Sequence, residues 1–102
     1  MQSIGVEVLE PRTAKTGMNS IRLLMKDASG KPITGAQVDV GLFMPQMGAM
    51  APMNSKATLT EAGNGIYTGQ IEFLMAWTWQ TTVTVRRNGN TIGVAQTSMT
   101  AR

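Results

Sequence analysis

Trp79, Thr81, Val83 and Val85 fall in phase and alternate with Gln80, Thr82 and Thr84. This is the period of two that belongs to a half-buried strand. The run breaks at Asn88-Gly89, the residue pair that suits a type I′ hairpin turn, and a second alternating run follows from Thr91 to Met99. The same grammar covers the rest of the chain. Ile4 to Glu10 alternates loosely and stops at Pro11, and Ser20 to Lys26 carries Ile21, Leu23 and Met25 on one face. Asp27 to Pro32 is dense in turn formers, and Ala36 to Phe43 follows with Val38, Val40 and Leu42 in phase. Lys56 to Glu61 is a short strand. Ala62-Gly63-Asn64-Gly65 turns the chain into Ile66 to Phe73, which carries Tyr67, Ile71 and Phe73. No segment has a convincing helical period. Seven short strands with turn signals every 8–12 residues specify an all-β fold, an immunoglobulin-like β-sandwich of about seven antiparallel strands.

At 102 residues the chain is one domain, 1–102, with a modest core. Hydrophobic residues make up 42% and charged residues only 15%, the balance of a folded globule and not of a disordered tail. The tail after Met99 is expected to fray. The net charge of +3 is dispersed, with Arg86-Arg87 the only adjacent basic pair, so the basic stripe that nucleic acid needs is missing. No apolar run approaches the roughly 20 residues of a membrane span. The segment from Met1 has neither the basic start nor the long apolar stretch of a signal peptide. The expectation is a cytosolic protein, or a mature or excised domain with Met1 added, monomeric in isolation. Six carboxylates stand singly, and no His or Cys is present to act as base or nucleophile, so no catalytic site is expected.

Chemistry concentrates in one stretch. Met44, Met47, Met50 and Met53 recur every third residue in Met-Pro-Gln-Met-Gly-Ala-Met-Ala-Pro-Met. A steady three drifts around a helix by about 60° per step, and Pro45, Gly48 and Pro52 oppose a helix outright. Strand alternation does not match it either. An extended polyproline-like loop has a period of three and would align the four sulfurs, with the outer pair about 28 Å apart. Only a loop that folds back, or help from other residues, would bring all four to one ion. Thioether sulfur is soft and neutral and suits Cu(I) or Ag(I). Without His or Cys, zinc sites, Cu(II) sites and blue-copper sites lack their ligands. Met44, Met47, Met50 and Met53 are therefore the expected ligands of a reversibly bound Cu(I) or Ag(I). The rival expectation is a methionine-rich surface for protein contact, with no metal. A pocket for a small apolar molecule is a third option.

Strand parity gathers the rest. With successive strands antiparallel, the first, third and fifth connections and the end of the last strand share one pole. That pole collects Met18, Met44, Met47, Met50, Met53, Met75 and Met99 with Trp77, leaving out only Met1 and Met25. Trp79, in phase with Val83 and Val85, belongs to the core. Met75 and Trp77 are the outer participants of the site. Trp77 either caps the end of the core or lies over a methionine-bound cation.

The run Gly-Lys-Pro-Ile-Thr-Gly-Ala-Gln-Val, the Met-Pro-Gln-Met that follows, Gly-Ile-Tyr, and the tryptophan opening an alternating strand resemble the YtkA-like domain family. Gly30, Pro32, Gly35, Ala36, Val38, Met44, Pro45, Met47, Gly65, Tyr67 and Trp79 carry the resemblance, over residues 18–97. It implies a small immunoglobulin-like domain in the periplasm, alone or fused to other modules such as adaptor subunits of heavy-metal efflux systems. It also implies copper or silver handling with an efflux adaptor, transporter or copper-delivery protein as partner. Two departures stand out. Relatives often carry a histidine beside the Met-Pro-x-Met stretch, where this chain has Ala49 and neighbours without one, and Trp77 replaces a small residue. Loss of the histidine leaves Cu(I) or Ag(I) as the metal.

Overall fold

The structure, a computed structural model, describes residues 3–102. Seven strands follow one another with no helix among the described residues: β1 (Ile4–Glu10), β2 (Gly17–Asp27), β3 (Gln37–Met44), β4 (Met53–Gly63), β5 (Ile66–Phe73), β6 (Thr78–Arg87) and β7 (Asn90–Thr100). The seven strands pair antiparallel throughout, in the order β1-β2-β5-β4-β3-β6-β7. β4 changes partner along its length. Met53 to Leu59 pairs with β3, and Thr60 to Gly63 pairs with β5. One long strand thereby joins two layers, β1-β2-β5 and β3-β6-β7, into the expected sandwich.

Alternation decides what lies between the layers. Ile21, Leu23 and Met25 of β2, Val38, Val40 and Leu42 of β3, and Tyr67, Ile71 and Phe73 of β5 are buried, as are Trp79, Thr81, Val83 and Val85 of β6. Trp79 is fully buried, as its phase required, and meets Phe73 edge to face at 6.4 Å between ring centroids. Thr81 sits in an apolar phase because its Oγ1 donates to the Trp79 carbonyl, 3.2 Å away. A buried hydroxyl without such a partner would cost about 1–3 kcal/mol.

The end of the sandwich away from the methionines is pinned by turns. Asn64-Gly65 and Asn88-Gly89 all have positive φ, the signature of the type I′ turn, so the Asn88-Gly89 turn expected from sequence is present. The Tyr67 hydroxyl donates to the Ile33 carbonyl at 2.8 Å and accepts from the Ala36 amide at 3.3 Å. Burial holds its pKa above the ordinary tyrosine value. Glu61 accepts from the amides of Gly35 and Gly65, tying two neighbouring turns together. Gly65 leaves no room for a side chain. A Cβ there would stand 2.7 Å from Pro32 Cβ and 3.0 Å from the Met25 carbonyl oxygen, at φ +83. Gly65→Ala is accordingly expected to lose about 2–4 kcal/mol, a left-handed backbone penalty plus overpacking against backbone. Gly89→Ala, at φ +80 with nothing within 4 Å, should lose only about 1–2 kcal/mol. Urea denaturation of the two variants checks the difference, and equal losses would refute the packing argument.

Two sequence expectations change. β4 starts three residues before Lys56 and extends two residues into the expected turn, to Gly63, leaving Asn64-Gly65 to turn the chain. The C-terminal tail does not fray. Ala101 is buried and its amide donates to the Trp77 carbonyl at 2.8 Å. Ala14 pairs in parallel with Ala101: its amide donates to the Thr100 carbonyl, and its carbonyl accepts from the Arg102 amide, both at 2.9 Å. The segment from Pro11 to Thr16 reads only as a connection, so this pairing has no local signal in the sequence.

Candidate functional site

The observed pairings place the β1–β2, β3–β4 and β5–β6 connections and the end of β7 at one pole, as strand parity required. Met18, Met47, Met50 and Met75 lie there with the ends of β3 and β4. The expected exclusion of Met1 concerns a residue outside those described.

The methionine stretch is not an extended loop, which corrects the sequence expectation. It is the distal end of the β3–β4 hairpin. Met44 pairs with Met53, and Met47 bridges Met50 through reciprocal amide-carbonyl bonds of 2.9 and 3.3 Å. Both pairs obey one register, which sets Pro45 opposite Pro52 and Gln46 opposite Ala51. Gly48 has φ +56 while Ala49 stays out of the positive-φ region, the sign pattern of a type II′ turn. In an antiparallel ladder, hydrogen-bonded pairs alternate with non-hydrogen-bonded ones. Met47–Met50 is of the first kind, so the next such pair down the ladder is Pro45–Pro52. Neither proline has an N–H, and both ladder bonds are missing there. The ladder is interrupted at that step.

A spacing of three has a particular result on a hairpin. In a flat ladder it puts Met44 and Met53 on one face and Met47 and Met50 on the other. Met44 follows Val38, Val40 and Leu42 inward and is 1% exposed. It is a core residue, and the expectation that it offers its sulfur at the surface is corrected by the parity of β3. Met53 is half-buried opposite it. Met47 also packs partly against the core, so the tip turns over at the proline step, while Met50 stays 41% exposed. Directly opposed side chains have Cβ atoms about 4.5–5.5 Å apart, and flexible thioethers on such a pair can converge. Met47 and Met50 are thus the pair free to meet a ligand from solvent, with Met53 half-buried at the base of the hairpin.

The neighbouring connection, Leu74 to Trp77, is held from inside. The indole N–H of Trp79 donates to the Met75 carbonyl at 3.1 Å, and Met75 is packed partly against the core. Trp77 keeps 49% of its surface exposed, so the alternative in which it caps the core is corrected: its backbone is pinned by Ala101, but its ring stands at the surface of the pole. Met99 of β7 is buried beside Trp79 in register. Met18, outward on β2, is 63% exposed. Phe43 and Leu74 are also exposed at this end, Phe43 on the outer face of β3 and Met18 on that of β2, in opposite layers.

The extended segment expected from the spacing of three gives way to a hairpin. Its signal was present: the stretch reads nearly the same in both directions about Gly48-Ala49, and a near-palindrome around a two-residue Gly-x turn pairs Met with Met and Pro with Pro.

An open depression of about 470 Å³ lies on the outer face of β3, β4 and β6, over the missing side chain of Gly41 and edged by Lys56, Thr58 and Thr82. Asp39 at its rim is ion-paired with Arg86. Burial pushes its carboxyl up, but hydrogen bonds from Arg86, Thr58 and Gln37 outweigh that and hold it below the ordinary carboxylate range. No group of three or more His, Cys, Asp or Glu side chains converges among the described residues.

The family model for YtkA-like domains matches residues 1–84. Among solved structures, the chain is similar to FdeC, a broadly conserved Escherichia coli adhesin, at 22% identity and a TM-score of 0.58, covering 97% of this chain and 31% of that one. It therefore spans less than a third of the adhesin chain. It is also similar to the Lin-41 filamin domain, at 19% identity and a TM-score of 0.52, covering 95% and 91%. Both likenesses concern the fold. No curated protein sequence matches the chain.

Proposed function

The chain belongs to the YtkA-like family, and from that premise we propose that it is a periplasmic metal-handling domain that binds Cu(I) or Ag(I) through the methionine hairpin and passes it to an efflux or delivery partner. The observation that carries this reading is the cross-strand pair Met47–Met50, held by reciprocal backbone bonds at the tip of the hairpin. The paired backbone already sets the two side chains on one face, so the order left to lose on binding is that of the two thioether rotamers. Met53 is the third donor at the base of the pair. Met44 is a fourth that can reach the ion only if the hairpin opens at the Pro45–Pro52 step. Met75 and Trp77 stand on the adjoining connection, where a ring face could shield a bound cation from water.

A partly exposed thioether site suits transfer better than storage. It carries no proton to displace, so its affinity should vary little with pH, unlike a thiolate or imidazole site. Exposure of Met50 leaves an open side on which a partner's ligands can replace these.

One observation favours a second reading. Met18, Phe43, Leu74 and Trp77 expose large apolar surface at the same pole. A domain that only docks on another subunit of an export complex, without metal, would need such a surface. Titration of 15N- and methyl-labelled protein with Ag(I), and with Cu(I) under reductant, separates the two. The metal reading expects saturable shifts of the Met47, Met50 and Met53 methyl groups. Unshifted methyls at millimolar metal would overturn it and leave the docking surface.

A further inference from the structure

The chain has nine methionines and no cysteine. A two-electron oxidant that would ordinarily meet a thiolate first meets thioether sulfur here instead. The fold then sorts those sulfurs. Met25, Met44 and Met99 are buried. Met47, Met53 and Met75 are half-buried against the core. Among the described residues only Met18 and Met50 are exposed.

Those two differ in what depends on them. Met18 lies outward on β2 and takes no part in the methionine hairpin. Met50 is one half of the cross-strand pair at the hairpin tip. The bonds that hold this pair run between backbone amides and carbonyls, so an oxygen added to the Met50 sulfur breaks none of them. The Met50 side chain already meets solvent, so a polar sulfoxide there is not desolvated. The sulfurs whose oxidation would disrupt packing are the buried ones, which the oxidant does not reach while the sandwich is folded.

We infer that Met50 is a reversible oxidation site: a peroxide converts its thioether to the sulfoxide, which turns off soft-metal binding at the hairpin and leaves the sandwich folded. The switch rests on the reading of the hairpin as a Cu(I) or Ag(I) site. A sulfur lone pair attacks one peroxide oxygen, the S–O bond forms as the O–O bond breaks, and two electrons pass from sulfur to peroxide. The hydroxide released takes up a proton and leaves as water. A thiol-dependent sulfoxide reductase reverses the step, with the oxygen leaving as water while two thiols become a disulfide. The lone pairs that attack peroxide are those that hold a soft ion, so bound metal and oxidation oppose each other. The sulfoxide presents a hard oxygen in place of the soft donor, and Cu(I) and Ag(I) favour the soft one.

Hydrogen peroxide treatment of the folded protein, with peptide mass mapping, tests the site. Ag(I) is the probe, because Cu(I) would itself reduce peroxide. Sulfoxide should form at Met18 and Met50 at least about fivefold faster than at Met47, Met53 or Met75, following exposure. Saturating Ag(I) should slow oxidation at Met50 about tenfold or more and at Met18 less than about twofold, since only Met50 gives its lone pairs to the ion. In the Met18→Leu variant, oxidation of Met50 should weaken Ag(I) binding about tenfold, the loss of one soft donor, and move the thermal midpoint by less than about 4 °C. Treatment with reductases for both sulfoxide epimers should restore the affinity. Oxidation of Met50 no faster than of the three half-buried methionines, a Met50 sulfoxide that binds Ag(I) as tightly as the thioether, or an affinity loss that the reductases do not reverse would each overturn the inference. If the unoxidised protein binds no Ag(I), the metal reading itself fails and takes the switch with it. The unoxidised protein thus tells the two failures apart.

Discussion

Trp79→Ala is expected to lower the unfolding free energy by about 3–5 kcal/mol, the largest loss from any single truncation in this core. The indole is fully buried between the layers, and its removal leaves a cavity lined in part by Phe73 and Met99, which the paired strands around it cannot close. Two further losses add to the cavity. The edge-to-face contact with Phe73 is worth about 0.5–1.5 kcal/mol beyond area. The hydrogen bond to the Met75 carbonyl contributes about 1 kcal/mol and fixes the connection beside the methionine hairpin. Urea unfolding followed by the remaining tryptophan, Trp77, measures the sum. Trp79→Phe separates its parts: most of the volume stays and the N–H is lost, so stability should fall less while the Met75 methyl and amide signals still move. A loss below about 1 kcal/mol for Trp79→Ala would show that the core closes around the site and would refute the cavity argument.

Seven strands were legible because each carries its own alternation and each turn its own chemistry. Asn88-Gly89 announces a I′ turn without reference to anything distant, and the phase of Trp79 with Val83 and Val85 predicts burial from one strand alone. What escaped the sequence involves two distant segments at once. β4 switches sheets at Thr60, a change that its alternating pattern permits but does not encode. The bridge between Ala14 and Ala101 joins small residues from opposite ends of the chain. The spacing of three at the methionines fits the period of one extended segment, but in the fold it is the repeat of two paired segments. The residues that carry the YtkA-like resemblance divide in the same way. Gly65, Pro32 and Tyr67 shape and pin the turns at one pole, so they speak for the fold, whereas Met44, Pro45 and Met47 stand in the hairpin at the other.

That division sets up the second large effect. Replacing Met47 and Met50 together by leucine should weaken Ag(I) binding by about a hundredfold, roughly tenfold for each soft donor removed, which corresponds to about 2.8 kcal/mol. Leucine keeps the apolar bulk and is a well-tolerated exchange for methionine, so the fold should lose less than about 1.5 kcal/mol for each exchange. Met44→Leu provides the contrast. Met44 is 1% exposed and packs inside, so its exchange should cost comparable stability and change Ag(I) affinity by less than about threefold while the hairpin stays closed. Competition titrations against a thioether peptide, read on methionine methyl signals, give the affinities, and thermal unfolding gives the stabilities. A hundredfold loss from Met44→Leu with none from the outer pair would mean that the ion draws the hairpin open at Pro45–Pro52 and binds within. Equal affinity in all three proteins would remove the hairpin from metal chemistry. The exposed ring of Trp77 and its apolar neighbours would then be left as the functional surface of the pole, and the Met47–Met50 bridge as the rigid edge on which a partner subunit rests.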